Sequence, residues 1–197
     1  MEILSIQHRE EVSLMDQDEQ DYRAFLNGDQ TGFERLVLRY KDGLIHFIYR
    51  FVYDVHQAED LSQDVFVEVL LHPERYRSGT SFKTYIYTIG HHRAVDYVRK
   101  QAHVTYVEDF SQDISLQQDT LLLEEKIIRD EKKKELYHCM KQLKPEYERV
   151  LYLIDLEGLS YEEAARVLEK SQGQVKVLIH RARKKLRQRM EEMQVML

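Results

Sequence analysis

Residues 104–119, VTYVEDFSQDISLQQD, interrupt an otherwise helical sequence: they hold four acidic residues, no basic ones and no apolar stripe. A stretch like that cannot bury one face, so it reads as a linker between two separately folding blocks. Helical patterns fill both sides. Before the linker they cover about Asp16–Asn27, closed by Gly28, then Thr31–Tyr53 with a break expected near Asp42–Gly43. Val55–Leu71 follows, stopped by Pro73, and then Phe82–Gln101. After the linker they cover about Leu121–Leu143, Pro145–Glu157, Tyr161–Leu168 and Gln172–Met193. With only 7 Gly and 2 Pro in 197 residues, a turn-rich all-β fold is excluded. The expected fold class is all-α: two small helical domains, 16–103 and 121–193, joined by a flexible acidic linker at 104–120.

The last pattern contains GQVKVLIHRARKKLR, 173–187, which carries six Lys or Arg in a chain of net charge −6. On a helix, Val175, Leu178, Ile179, Ala182 and Leu186 share one face. Lys176, Val177, His180, Arg181 and Lys184 share the other, with Arg183 and Arg187 at its edges. The preceding LSYEEAARVLEKSQ gives a short helix with a capping box at Ser160 and Glu163. A turn of about four residues, lacking Gly, separates the two. This is a helix-turn-helix with a basic outer face, the form that enters a major groove. A merely solvated basic helix would show the same charges, but two further segments carry patterns of their own.

In HQAEDLSQDVFVEVLL, Ala58, Leu61, Val65 and Val69 form a core stripe. The opposite face shows Asp60, Gln63, Asp64 and Val67, bordered by Phe66 and Leu70. Acid mixed with exposed apolar groups suits a basic protein partner, although a solvated acidic face fits the pattern equally well. RYRSGTSFKTYIYTIGHHRAVDYVRKQAH interleaves Tyr76, Phe82, Tyr85, Tyr87 and Tyr97 with Arg75, Arg77, Lys83, Arg93, Arg99 and Lys100. Stacking surfaces plus cations are what single-stranded nucleic acid needs; some of these rings, Phe82 and Tyr97 first, are expected in the core.

These features stand in the order of an extracytoplasmic-function (ECF) sigma factor, a compact member of the bacterial sigma-70 family, which the chain resembles over about residues 18–193. GDQTGFERLVLRY, AEDLSQDVFVEVL and FKTYIYTIGHHRAVDYVRK resemble region 2. LKPEYERVLYLIDLEGLSYEEAARVL and GQVKVLIHRARKKLR resemble region 4. The resemblance implies a factor that binds core RNA polymerase and directs it to promoters. Asp60, Gln63, Asp64 and Val67 would dock on the β′ clamp helices. Tyr85, Thr88, His91, His92, Arg99 and Lys100 would capture the melted −10 element. Gln172, Gln174, Lys176, Val177, His180, Arg181 and Lys184 would read the −35 element, the domain also touching the β flap. By family habit an anti-sigma factor, often membrane-anchored, is a further expected partner. Shared DNA binding with the polymerase explains how the chain can be acidic overall.

Two departures concern promoter choice. Relatives usually place Trp where Tyr85 stands and very often Asn where His92 stands, beside the pocket for an extruded −10 base. Val177 and Leu178 occupy positions where relatives often carry polar or basic residues, and a valine at the centre of the outer face suits thymine methyl groups.

Other classes fit less of the chain. A dimeric helix-turn-helix repressor or activator would account for 159–187 and leave the acidic and aromatic segments unused. An enzyme or metal protein would have to use His91, His92, His103 or the single Cys139, yet no His stands at a ligand spacing with Cys or a carboxylate pair. No phosphate-cradling Gly loop or nucleophile motif is present. The expectation is therefore no catalysis, no cofactor and no metal. The acidic N-terminal stretch lacks a long apolar core, and nothing approaches the ~18 apolar residues of a membrane span, so a cytoplasmic location is expected.

Overall fold

The computed structural model describes residues 17–77, 79–104 and 131–193, and these fold into helices with no strand among them. The linker expected at 104–120 falls almost wholly outside the described residues, as does the start of the helix expected from Leu121. In chain order the helices are α1 (17–26), α2 (Gln30–Val52), α3 (Val55–Leu71), α4 (Phe82–Val104), α5 (Glu131–Lys141), α6 (Pro145–Leu151), α7 (Tyr161–Val167) and α8 (Gln172–Glu192). A short 3₁₀ turn, Pro73–Arg75, follows α3.

The first half is α1–α4. Asp29 caps α2 by accepting from Thr31 N at 3.0 Å, and Asp54 caps α3 by accepting from Gln57 N at 3.0 Å. Leu36, Leu44, Phe47 and Ile48 of α2 meet Ala58, Val65 and Val69 of α3 and Phe82, Ile86 and Ala94 of α4, all fully buried. The stripe Ala58, Leu61, Val65, Val69 faces this core as the pattern requires. Phe66 turns inward beside it, its ring edge-on to Phe33 at 6.4 Å, so it does not border the outer face. α1 is fixed by charge: the buried carboxylates of Asp18 and Asp21 take both ends of the Arg39 guanidinium, and Arg35 adds a bond to Asp21 at 2.7 Å. Burial raises the Asp18 pKa above the ordinary aspartate value despite Tyr40 and Arg39.

The expected break at Asp42–Gly43 does not occur; α2 runs unbroken. Gly43 instead marks a close approach. A Cβ there would stand 2.5 Å from the Tyr87 hydroxyl oxygen and 2.8 Å from Glu157 Oε1, so the glycine lets three elements meet.

The helix expected over Pro145–Glu157 also differs. It is α-helical only to Leu151 and then widens into a π-turn, Tyr152–Leu156, with Glu157 N donating to Tyr152 O at 2.9 Å. Val150, Leu151, Tyr152 and Leu153 are all buried in succession. Four consecutive buried residues cannot lie on one helical face; this segment is covered on two sides. One side is its own half, where Val175, Ile179 and Ala182 of α8 and Ala164 and Val167 of α7 are buried. The other is α2, where Tyr152 stacks on Phe47 at 6.4 Å. The two halves therefore share one continuous core.

Candidate nucleic-acid interface

The helix-turn-helix is built by two caps. Ser160 accepts from Glu163 N at 3.2 Å while Glu163 accepts from Ser160 N at 3.0 Å. Ser171 and Gln174 repeat the device at the start of α8, at 3.2 and 2.8 Å. The second follows the same Ser-x-x-Gln spacing in the sequence, 171–174, which the sequence reading passed over. Asp155 holds Arg183 through two guanidinium contacts, one at 3.1 Å, which fixes α8 against the π-turn. With Val175, Ile179 and Ala182 turned inward, Gln172, Gln174, Lys176, Val177, His180, Arg181 and Lys184 are all exposed on the outer side. Val177 is 51 % exposed at the middle of that surface. Gln174 gives its carbonyl oxygen to the cap and retains its amide N–H groups for other partners.

On α3, Asp60, Gln63, Asp64 and Val67 are exposed together, with Leu70 and Leu71 also open. Asp64 lies 3.7 Å from Arg93, and Glu68 takes both Arg93 at 2.7 Å and Arg75 at 3.0 Å. Those cations hold the Glu68 carboxyl below its ordinary pKa.

α4 presents its candidate residues unevenly. Arg99 and Lys100 are exposed. Tyr85 is half-buried against Tyr76 at 5.3 Å, and Thr88 donates to Thr84 O at 2.7 Å. His91 is 8 % exposed, edge-on to Phe51 at 5.4 Å, and burial lowers its pKa to about 4. Phe82 is buried and Tyr97 half-buried, as expected of core rings. His92 is exposed and sits 2.9 Å from Glu169.

That contact is one of a set that local patterns cannot reveal, because each joins residues 70 or more positions apart. Ser81 and Thr84 at the start of α4 donate to Glu163 Oε1 at 2.7 and 2.9 Å. Burial alone would raise the Glu163 pKa, but these bonds and those from Ser160 bring it below the usual value. Lys83 pairs with Glu157 at 2.9 Å. Tyr152 donates to Gly43 O at 2.9 Å, and Arg149 to Arg50 O at 3.1 Å. Beneath them lies a buried ion pair, Arg50 with Glu148 at 3.5 Å, the guanidinium stacked on Tyr152 at 3.8 Å. The acidic side of α7 and its following turn thus covers the leading face of α4. Among the described residues, His91, His92 and Glu169 are the group whose donor atoms stand close enough to share a metal ion. No helix among the described residues is long and apolar enough to cross a membrane.

Residues 36–104 match the family model for Sigma-70 region 2, and residues 133–186 that for Sigma-70, region 4. The RNA polymerase sigma factor YlaC of Bacillus subtilis is 32% identical over 162 residues, covering 82% of this chain and 93% of that protein. The ECF RNA polymerase sigma factor SigX of the same organism is 33% identical over 165 residues, covering 81% and 84%. Among solved structures, the sigma factor RpoE in complex with the anti-sigma factor NepR from Bartonella quintana superposes with a TM-score of 0.63 at 19% identity, covering 81% of this chain and 96% of that one.

Proposed function

The chain belongs to the extracytoplasmic-function sigma factors of the sigma-70 family, and from that membership we propose which of its surfaces do the work. As a sigma factor it binds core RNA polymerase and directs promoter-specific initiation; it is not an enzyme. Residues 16–103 act as the region 2 unit and 121–193 as the region 4 unit, with 104–120 between them. Asp60, Gln63, Asp64 and Val67 form the surface for the β′ clamp helices, where acid meets base around a small apolar centre. Tyr85, Thr88, His91, His92, Arg99 and Lys100 serve the −10 element. Gln172, Gln174, Lys176, Val177, His180, Arg181 and Lys184 serve the −35 element, the region 4 unit also meeting the β flap.

The observation that carries this reading is the seven-residue exposed surface of α8, aligned along a helix whose cap, core face and Arg183–Asp155 tie fix its orientation. A helix so held presents side chains to a groove at fixed register. In the arrangement described here, α7 covers the start of α4, so −10 capture proceeds from a state in which the two halves have parted. An anti-sigma factor is a fitting partner, since a solved relative of the same fold is bound to one. A cytoplasmic location, where the polymerase is, accords with the lack of a membrane-crossing helix among the described residues.

The test is run-off transcription from a promoter library by purified chain and bacterial core polymerase. Transcripts that share a −35 and a −10 motif, and vanish without the chain, support the assignment. Tight, specific duplex binding by the chain alone, with no transcripts, would favour a repressor instead.

A further inference from the structure

His91 and His92 stand on α4, and Glu169 occupies the turn between α7 and α8. The three side chains come from opposite halves of the molecule, yet their ligand atoms lie within 4.8 Å of one another. His92 Nε2 is 2.9 Å from Glu169 Oε1. Four-coordinate zinc, with bonds near 2.0–2.1 Å, separates its ligands by about 3.3 Å. The 2.9 Å contact and the 4.8 Å limit on the other separations bracket that value.

One independent feature points the same way. The Nδ1 atom of His91 is buried without a hydrogen-bond partner, a costly state for an imidazole. Glu169 adopts φ +52 as the residue that closes α7, where Lys170 N donates to Ala165 O at 3.0 Å. That turn brings its carboxylate to His92.

We propose that His91, His92 and Glu169 form a zinc-class transition-metal site that fastens the region 4 half onto α4. Two imidazoles and one carboxylate match borderline cations such as Zn²⁺ rather than Mg²⁺ or Ca²⁺. The fourth position remains for water. Arg149 and Lys170 lie near enough to act electrostatically on His91; they oppose a cation and set the site toward modest affinity. Because the ligands straddle the two halves, the metal binds the closed arrangement alone and shifts the population toward it.

The experiment uses the untagged full-length chain, stripped of metal by chelation. Zn²⁺ is titrated against a chromogenic competitor, and Co²⁺ is followed by its visible absorption. The substitutions are His92→Gln and Glu169→Gln, both at exposed side chains that leave the core intact. The wild type should take up one Zn²⁺ that each substitution weakens about tenfold or more, with the Co²⁺ bands lost in both. No uptake below about 100 μM, a weakness beyond even modest zinc sites, or equal uptake by all three proteins overturns the site. Hydrogen exchange tests the fastening. Saturating Zn²⁺ should slow exchange in Phe82–Ile89 and Tyr161–Val167 of the wild type and not of Glu169→Gln. Unchanged exchange in the zinc-saturated wild type overturns the fastening role.

Discussion

Replacing Arg50 with Met should cost stability in a way that depends on pH, because the loss removes the strongest cationic partner of the buried Glu148. Arg50 is 2 % exposed and Glu148 3 %. Burial already raises the Glu148 pKa from its reference of 4.5, with Arg50 the largest opposing influence. Without the guanidinium the carboxylate escapes by taking up a proton. At pH 7 that escape costs at most about 1.36 × (7 − 4.5), or about 3.4 kcal/mol; at pH 5.5 it costs at most about 1.4 kcal/mol. A raised carboxyl pKa favours the fold below about pH 4.5 and loses that benefit as pH rises, so the variant is worst at neutral pH. Arg50→Met also loses the contact with Tyr152, but Arg50→Met/Glu148→Gln loses it equally. The difference between single and double variant therefore isolates the orphaned charge. Urea unfolding followed by circular dichroism at both pH values measures it. The expected gap is at most about 3 kcal/mol at pH 7 and about half that or less at pH 5.5. A gap that does not change with pH, or a double variant no better than the single, refutes the reasoning.

Reversing charge at both exposed acids of α3, Asp60→Lys with Asp64→Lys, should abolish capture of core polymerase while leaving the unfolding midpoint near wild type; normal pull-down contradicts the docking surface. Arg181→Ala should weaken −35-dependent transcription by roughly 1–3 kcal/mol and relax base preference, whereas Lys184→Ala should weaken all promoters alike; transcription from the same library separates the two. His92→Asn should shift or broaden the accepted −10 base with −35 recognition unchanged, read from a −10 library. Burial, then Arg50, lowers the His46 pKa to about 3, so its neutral ring favours the fold above about pH 6.5 and that benefit fades as acid protonates the unfolded chain first. Between pH 6.5 and 5 the loss is about 1.5 kcal/mol, and His46→Gln should flatten that part of the stability profile.

The elements were legible in the sequence where one face decides the outcome. α3 has the bounds its stripe sets, Val55–Leu71, and α8 ends within a residue of its pattern. The outer face of α8 could be listed residue by residue because Val175, Ile179 and Ala182 fix which way the helix turns. Failures gather where two halves meet. Gly43 looked like a break because the residues that crowd it, Tyr87 and Glu157, are far along the chain. Tyr152–Leu156 looked like ordinary helix, although the unbroken apolar run Val150–Ile154 was a local sign of burial on more than one side. Within the first half, the burial of His91 against Phe51 of α2 was equally hidden, since the two lie on different helices. Periodicity reports one buried face per helix; it carries no information about a second.

Glu163 carries a consequence for how such a molecule changes shape. Its two carboxylate oxygens answer to different structures: Oε2 takes Ser160 within α7's own cap, and Oε1 takes Ser81 and Thr84 from α4. If the halves separate, one oxygen is handed to water and the other keeps its bonds. The cap of α7 therefore does not depend on α4, and separation of the halves would release the bonds from Ser81 and Thr84 without unwinding the start of that helix.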